Sequence, residues 1–256
     1  MRTLLWFVAL VIAPAAAREP ALVAVDVGHF LAEPGVLSAR GRPEFEFNRA
    51  LALDLRDALE AQGHRVRLIG AAGDVAVLSR RTAAARGASL LLSVHHDSVQ
   101  PHYLEEWDYD GETQRFSDRF AGFALFVSRR NPDPAASLAC ASAIGGALRA
   151  AGFAPSLYHA EPIPGESKPF ADRPNGVHYF DNLVVLHTAT QPAVLIEVGV
   201  IVNRAEELRM REPATRRRIA AAVAEGVRGC LGRGAKLRPR VWVSGRIARL
   251  SSEHER

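Results

Sequence analysis

The chain has 256 residues, of which 48% are hydrophobic, and its formal net charge is +4. A chain of this length and composition buries one sizeable core, so we expect one domain rather than several. The arginines are scattered and form no basic stripe, which argues against a nucleic-acid-binding protein.

The start of the chain resembles a secretory signal peptide. Arg2 is followed by the apolar run Leu4–Ile12, which is too short to span a bilayer, and then by small residues typical of a cleavage site. An uncleaved anchor is the alternative. We therefore predict a signal peptide over residues 1–17, a folded domain over 18–232 without membrane insertion, and a basic tail over 233–256.

Strand and helix patterns alternate along the domain. Apolar runs predict strands over residues 21–27, 65–69, 89–94, 122–127, 183–186 and 193–201. Helical spacing and capping residues predict helices over residues 44–62, 75–86, 133–151 and 213–230, with a further helix starting at Asn203. This alternation is typical of an α/β domain with a central, mostly parallel sheet flanked by helices on both faces.

Two segments show neither the apolar run of a buried strand nor the helical spacing of apolar residues. Residues 98–119 predict a long surface insertion, and residues 155–180 predict a loop rich in Pro, Gly, His and charged residues. The two cysteines, Cys140 and Cys230, lie on predicted helices. In an exported protein they form either one disulfide or two buried free thiols, and the sequence leaves both open.

Three polar residues stand at or near the ends of predicted strands: His29, His95 and Glu197. A fourth, Glu46, lies in the first turn of the helix that follows His29. In an open α/β sheet these strand ends share one edge, and two His with a carboxylate suit Zn²⁺, while a further carboxylate can move a proton. Taken singly, each has a structural alternative: a surface His, a helix-start acid, or a Glu paired inside the core.

Four segments together resemble the zinc-dependent N-acetylmuramoyl-L-alanine amidases of the Amidase_3 type, in the same order and with similar spacing. They are Val25-Asp26-Val27-Gly28-His29, Glu46-x-Asn48, Ser93-Val94-His95-His96-Asp97-Ser98, and Pro192 to Gly199 followed by Asn203. The likeness covers about residues 22–231.

The resemblance implies a function and a site. It implies that His29, Glu46 and His95 bind Zn²⁺ and that Glu197 is the catalytic acid/base. The expected reaction is hydrolysis of the amide between N-acetylmuramic acid and L-alanine in peptidoglycan, which releases stem peptides. We expect a periplasmic monomer that acts on peptidoglycan or muropeptides, with secretion as the alternative and with a protein activator as a candidate partner.

Several residues close to these segments in the sequence are candidates for supporting roles in the site. Asp26 and Asp97 are candidates to orient the histidines, and a plain structural role is the alternative for each. His95 and His96 are adjacent in a strand, so their side chains should point to opposite faces and only one should reach the site. His187 is a candidate to bind substrate or stabilise an oxyanion, although a surface position is the simpler interpretation.

The two irregular segments could shape access to the site. In the insertion, Glu105 or Glu106 is a candidate autoinhibitory group over the zinc, and the loop Pro162–Arg173 is a candidate wall for the stem peptide. Two other functions remain open from the residues alone. One is a zinc peptidase that cuts within the stem peptide, and the other is a non-catalytic peptidoglycan-binding protein.

Overall fold

The computed structural model describes residues 19–233. The predicted signal peptide over 1–17 and the predicted tail beyond residue 233 lie outside the described residues. The strands are β1 (Leu22–Val27), β2 (Arg65–Ile69), β3 (Leu90–Asp97), β4 (Glu105–Tyr109), β5 (Glu112–Phe116), β6 (Ala124–Val127), β7 (Phe170–Asp172), β8 (Val177–Tyr179) and β9 (Ala193–Val200). The helices are α1 (Glu44–Ala61), α2 (Leu78–Ala84), α3 (Pro134–Ala150), α4 (Val184–His187), α5 (Arg204–Arg211) and α6 (Pro213–Arg233).

Seven of the strands form one sheet in the order β2-β1-β3-β9-β6-β8-β7. The pairs from β2 to β9 are parallel, and so is β6 with β8, whereas β6 runs antiparallel to β9 and β7 runs antiparallel to β8. The predicted α/β domain with a mostly parallel central sheet is confirmed. Because β1, β3 and β9 are adjacent and parallel, their carboxyl ends meet at one edge of the sheet.

The sheet is buried on both faces, which explains the continuous apolar runs of its central strands. In β1, Val23, Val25 and Val27 pack on one face with α1, α3 and α6, whereas Ala24 packs on the other face with α4 and the end of α2. The two helical layers are unequal. The first contains helices of 18, 17 and 21 residues, and the second contains α2 with seven residues and α4 with four.

Capping residues begin two helices where the sequence predicts them. Asp133 accepts a hydrogen bond from the backbone N–H of Ala136 at the start of α3, and Asn203 accepts from Ala205 and Glu206 at the start of α5. Helices α1 and α6 lie near their predicted positions, and α2 begins three residues later than predicted, at Leu78.

The prediction of a strand over residues 183–186 is wrong. This segment is the short helix α4, where the backbone N–H of Thr188 donates to the carbonyl of Val184 at 3.0 Å. A short apolar run has the same appearance in a buried strand and in a buried helical turn. The two segments without a clear period also contain strands: the insertion forms the hairpin β4–β5, and β7 and β8 extend the sheet at its edge.

Cys140 and Cys230 form a disulfide that joins α3 to α6, so the alternative of two free thiols is wrong. The same two helices pack along each other beside the sheet, with Gly226 of α6 lying against the backbone of Ile144 in α3. Over residues 19–233, none of the helices combines the length and the apolar character needed to cross a bilayer.

Candidate metal and acid–base site

His29 leaves the end of β1 in a left-handed backbone conformation, with φ of 65°. This conformation is uncommon for residues other than Gly, and one buried side chain holds it in place. Arg81 of α2 donates hydrogen bonds to the carbonyls of Val27 and His29 and pairs with Asp26 at 2.8 Å. Asp26 thus orients the His29 loop through Arg81 and the backbone, and its second oxygen accepts from the Ser93 hydroxyl at 2.8 Å.

His29, Glu44 and His95 form a compact cluster at the sheet edge. Nε2 of His29 lies 2.9 Å from Glu44 Oε2, and Nδ1 of His95 lies 3.1 Å from Glu44 Oε1. Their potential ligand atoms all lie within 4.8 Å of one another. Tetrahedral ligands about 2.0–2.1 Å from one zinc ion lie about 3.3 Å apart. The donor set and its spacing therefore fit one such ion.

The surroundings of Glu44 hold its carboxylate ionised and aimed at the histidines. Oε1 accepts hydrogen bonds from Asn48 Nδ2 at 2.9 Å and from the backbone N–H of His96 at 3.3 Å. Burial raises the pKa of Glu44, but hydrogen bonds and favourable charge from His29 and His95 outweigh it and hold the pKa well below its usual range. A metal ligand must be deprotonated, and this carboxylate meets that requirement.

The structure does not bring Glu46 to the cluster, and Glu44 lies between the two histidines instead. Glu46 lies on the exposed side of α1 and pairs with Arg42 at 2.6 Å. Helical spacing explains the difference, because side chains three or four positions apart share one face. Glu44 stands three residues before Phe47 and seven before Leu51, both buried in the core, whereas Glu46 falls on the opposite side.

Glu197 of β9 faces the cluster of His29, Glu44 and His95 from the neighbouring strand, and it pairs in register with His95 across the parallel β3–β9 ladder. Its Oε2 atom is buried and has no hydrogen-bond partner among the described residues. Burial, together with the negative charges of Asp97 and Glu44, raises the pKa of Glu197 well above its usual value. A carboxyl group with a raised pKa can hold a proton near neutral pH, which suits an acid/base role.

A polar cavity of about 340 Å³ opens over these groups. Its lining includes part of a chain of charged side chains, of which sequence reasoning missed only His159. His159 lies between two carboxylates, with Nε2 2.8 Å from Asp97 and Nδ1 2.9 Å from Glu166, and Lys168 pairs with Glu166 at 2.8 Å. His159 lies in a segment without a clear period, so its sequence gave no signal beyond the residue type.

A sequence model of the family described as N-acetylmuramoyl-L-alanine amidase matches residues 23–229. The chain belongs to this amidase family. The amidase is therefore a hydrolase, and its reaction cleaves the amide between N-acetylmuramic acid and L-alanine in peptidoglycan.

Solved structures share the fold of the amidase. The amidase Ami1 from Mycobacterium smegmatis is 22% identical with a TM-score of 0.65, and the alignment covers 83% of this chain and 97% of that one. The catalytic domain of CwlV from Bacillus (Paenibacillus) polymyxa var. colistinus is 24% identical with a TM-score of 0.63, over 83% and 98%. The CwlD amidase from Clostridioides difficile, solved with the GerS lipoprotein, is 18% identical with a TM-score of 0.60, over 83% and 98%. No curated protein matches the chain.

Of the other residues that the sequence analysis singled out, Glu166 of the loop predicted as a wall lines the polar cavity, whereas His187 and the hairpin acids Glu105 and Glu106 do not. His96 points to the opposite face from His95, where Nδ1 lies 2.8 Å from Asn48 Oδ1, and burial lowers the pKa of His96 to about 3.

Proposed function

We propose that the amidase is a zinc enzyme in which His29, Glu44 and His95 hold the ion and Glu197 is the catalytic acid/base. The observation that carries this proposal is the position of Glu44, whose two carboxylate oxygens face the two histidines at 2.9 and 3.1 Å. Glu197 stands beside this cluster, and its buried Oε2 atom has no hydrogen-bond partner within residues 19–233. A buried carboxylate without a partner is costly and calls for a functional explanation.

A zinc ion held by His29, Glu44 and His95 would supply Lewis acidity toward the amide carbonyl and toward the attacking water. Glu197 accepts the proton of that water and returns it to the nitrogen of L-alanine as the amide bond breaks. Its raised pKa strengthens it as a base for the first transfer and lets it retain the proton for the second. Glu44 would stay ionised as a ligand of the ion, since a metal-binding carboxylate must be deprotonated.

We also propose that the amidase works outside the cytoplasm, in the periplasm. The disulfide between Cys140 and Cys230 supports this compartment, because disulfides persist in oxidising environments. Its substrate, peptidoglycan, lies there too. The predicted signal peptide would direct the export, and cell fractionation with detection of the mature N-terminus tests it. A protein activator is a further candidate, by analogy with the CwlD amidase that was solved with a lipoprotein.

The decisive experiment identifies the products. The mature chain is incubated with purified peptidoglycan, with and without a zinc chelator, and the products are analysed by mass spectrometry. We expect free stem peptides that begin at L-alanine, and their loss with the chelator. Cuts inside the stem peptide would instead identify a peptidase. Binding to peptidoglycan without any cut would identify a binding protein.

A matched pair of substitutions tests the site assignment. Glu44→Gln should reduce bound zinc from one ion per chain to a small fraction, because an amide replaces an anionic ligand. Glu46→Gln, two residues away on the exposed side of α1, should retain metal and activity. Equal metal loss in both variants would contradict the assignment. Glu197→Gln should retain zinc and lose most of the turnover, and unchanged turnover in that variant would exclude the acid/base role.

A further inference from the structure

Two cavities meet at the metal-binding cluster, and His29 and His95 line both of them. The first is the polar cavity described above, which also contains Glu44 and Glu197. The second has a volume of about 420 Å³ and opens on the other side of the two histidines, between the end of β1 and the short helices α2 and α4. Both volumes fall in the range of small-molecule binding sites.

The walls of the two cavities differ in character. The second cavity, which we call the apolar cavity, is lined mainly by side chains without charge: Phe30, Ala76, Leu78, Leu183, Val184, Val185 and Leu195. Its charged side chains are Asp26 and Arg81, which are buried and pair with each other, and the exposed Glu33. At its mouth, Leu78 is 45% exposed. An apolar surface left open to water beside a reaction site is typical of a ligand-binding wall.

The substrate of the proposed reaction has two unlike halves. The acyl half consists of the lactyl group and the N-acetylmuramic acid ring, and it carries no charge because its carboxyl group is consumed in the amide. The peptide half carries free carboxylates beyond L-alanine. Transfer of a charged group into an apolar cavity is costly, whereas methyl groups and the apolar face of a sugar ring fit there. The apolar cavity therefore suits the acyl half.

The position of Glu197 leads to the same orientation independently. The carboxyl group that returns a proton must reach the nitrogen of the leaving peptide. Glu197 lines the polar cavity and does not line the apolar one. The nitrogen, and the peptide that continues from it, must then lie on the Glu197 side of the cluster, and the acyl half must lie on the other side.

We propose that the apolar cavity is the subsite for the N-acetylmuramoyl half of the substrate, and that the stem peptide runs past Glu197 through the polar cavity. This inference rests on the proposed function and adds the orientation in which the substrate binds. The amide lies across His29 and His95, where the two cavities join. The sugar then contacts Leu78 of α2 and Val184 of α4, and residues of those two helices determine the recognition of the glycan side.

The test compares two leucines of equal exposure. Leu78→Gln introduces a polar group at the mouth of the apolar cavity, and Leu208→Gln is the matched control, because both leucines are 45% exposed and Leu208 lies on α5 beside a different cavity. Each variant of the full chain is assayed on an N-acetylmuramoyl peptide and on the same peptide carrying only a lactyl group. Because both leucines are exposed, neither change should prevent folding, and circular dichroism checks this.

The preference for the muramoyl substrate over the lactyl substrate should fall about tenfold in kcat/KM with Leu78→Gln, since lost contacts in a pocket have effects of this size. It should stay unchanged with Leu208→Gln. An unchanged preference in Leu78→Gln would overturn the inference.

A binding measurement separates failure of this inference from failure of the proposed function. In a Glu197→Gln background, calorimetric titration measures the affinity for the uncharged primary amide of N-acetylmuramic acid and for the dipeptide L-alanyl-D-glutamate. Adding Leu78→Gln should weaken only the first. If the parent chain hydrolyses neither substrate, the proposed function fails, and this titration still decides the subsite. If hydrolysis proceeds but the second ligand is the one weakened, only the orientation is wrong.

Discussion

The buried imidazole of His159 makes the stability of the amidase depend on pH in a defined window. Its side chain is 9% exposed and lies between the carboxylates of Asp97 and Glu166, at 2.8 and 2.9 Å. Burial lowers the pKa of His159, but the two carboxylates outweigh it and raise that pKa to about 9. The ring is therefore an imidazolium at neutral pH, and both of its nitrogens donate.

The size of the effect follows from linkage. The pKa of an unfolded histidine is about 6.5, and a difference of one in pKa corresponds to about 1.36 kcal/mol, so a folded pKa of about 9 is worth about 3 kcal/mol. A group whose folded pKa is raised contributes its full stabilisation below the unfolded pKa. His159 should therefore add about 3 kcal/mol below pH 6.5, and this contribution should disappear as the pH rises through 9.

The perturbation is His159→Gln, measured by urea unfolding at several values from pH 6 to pH 9.5. A chelator is present throughout, so that metal binding does not add its own pH dependence. The difference in unfolding free energy between the parent and His159→Gln should shrink by about 3 kcal/mol across this window. His187→Gln, which removes an imidazole outside this network, is the control substitution. A constant difference for His159→Gln would refute the assignment of a charged imidazole in this wall.

Three further changes test the scaffold of the site. Replacing Cys140 and Cys230 by Ala should lower the unfolding free energy by about 4–5 kcal/mol, because their disulfide closes a loop with a sequence separation of 90, and denaturant unfolding measures this. Gly28→Ala should weaken zinc binding at least about tenfold, because the new Cβ would lie 2.3 Å from Cε1 of His95, and competition with a chelator measures it. Arg81→Gln should cost about 3–5 kcal/mol in thermal or urea unfolding, because it leaves a buried carboxylate unpaired, and no loss of stability would contradict that ion pair.

The sequence predicts the sheet well because its central strands are long apolar runs with clear ends. It also predicts the two histidines, since each stands where such a run stops. The sequence pattern of α1 also distinguishes Glu44 from Glu46. The buried face of α1 is marked by Phe47 and Leu51, and only Glu44 shares that face. The helical period, applied to the acids as well as to the apolar residues, places Glu44 and not Glu46 on the buried face of α1.

Other features could not be predicted because their determinants are tertiary. The four residues of α4 pack against β9, and nothing within so short a run distinguishes a helical turn from a strand. The pairing of Cys140 with Cys230 depends on how α3 and α6 pack together. The role of His159 depends on Asp97, which is 62 residues away in the chain. Such long-range contacts leave no local pattern.

The two helical layers that cover the sheet are unequal, and we expect the helices of the thinner layer to unfold locally more often than those of the thicker layer. On one side, three long helices cover the sheet and a disulfide ties two of them together. On the other side, α2 and α4 together contain only eleven residues, and both line the apolar cavity. Short elements with few buried contacts open more readily than the main core. Amide hydrogens of α2 and α4 should therefore exchange with solvent well before those of α3 and α6. The layer of α2 and α4 can then adjust to a bulky polymer, while the layer of α1, α3 and α6 keeps the strand ends in place.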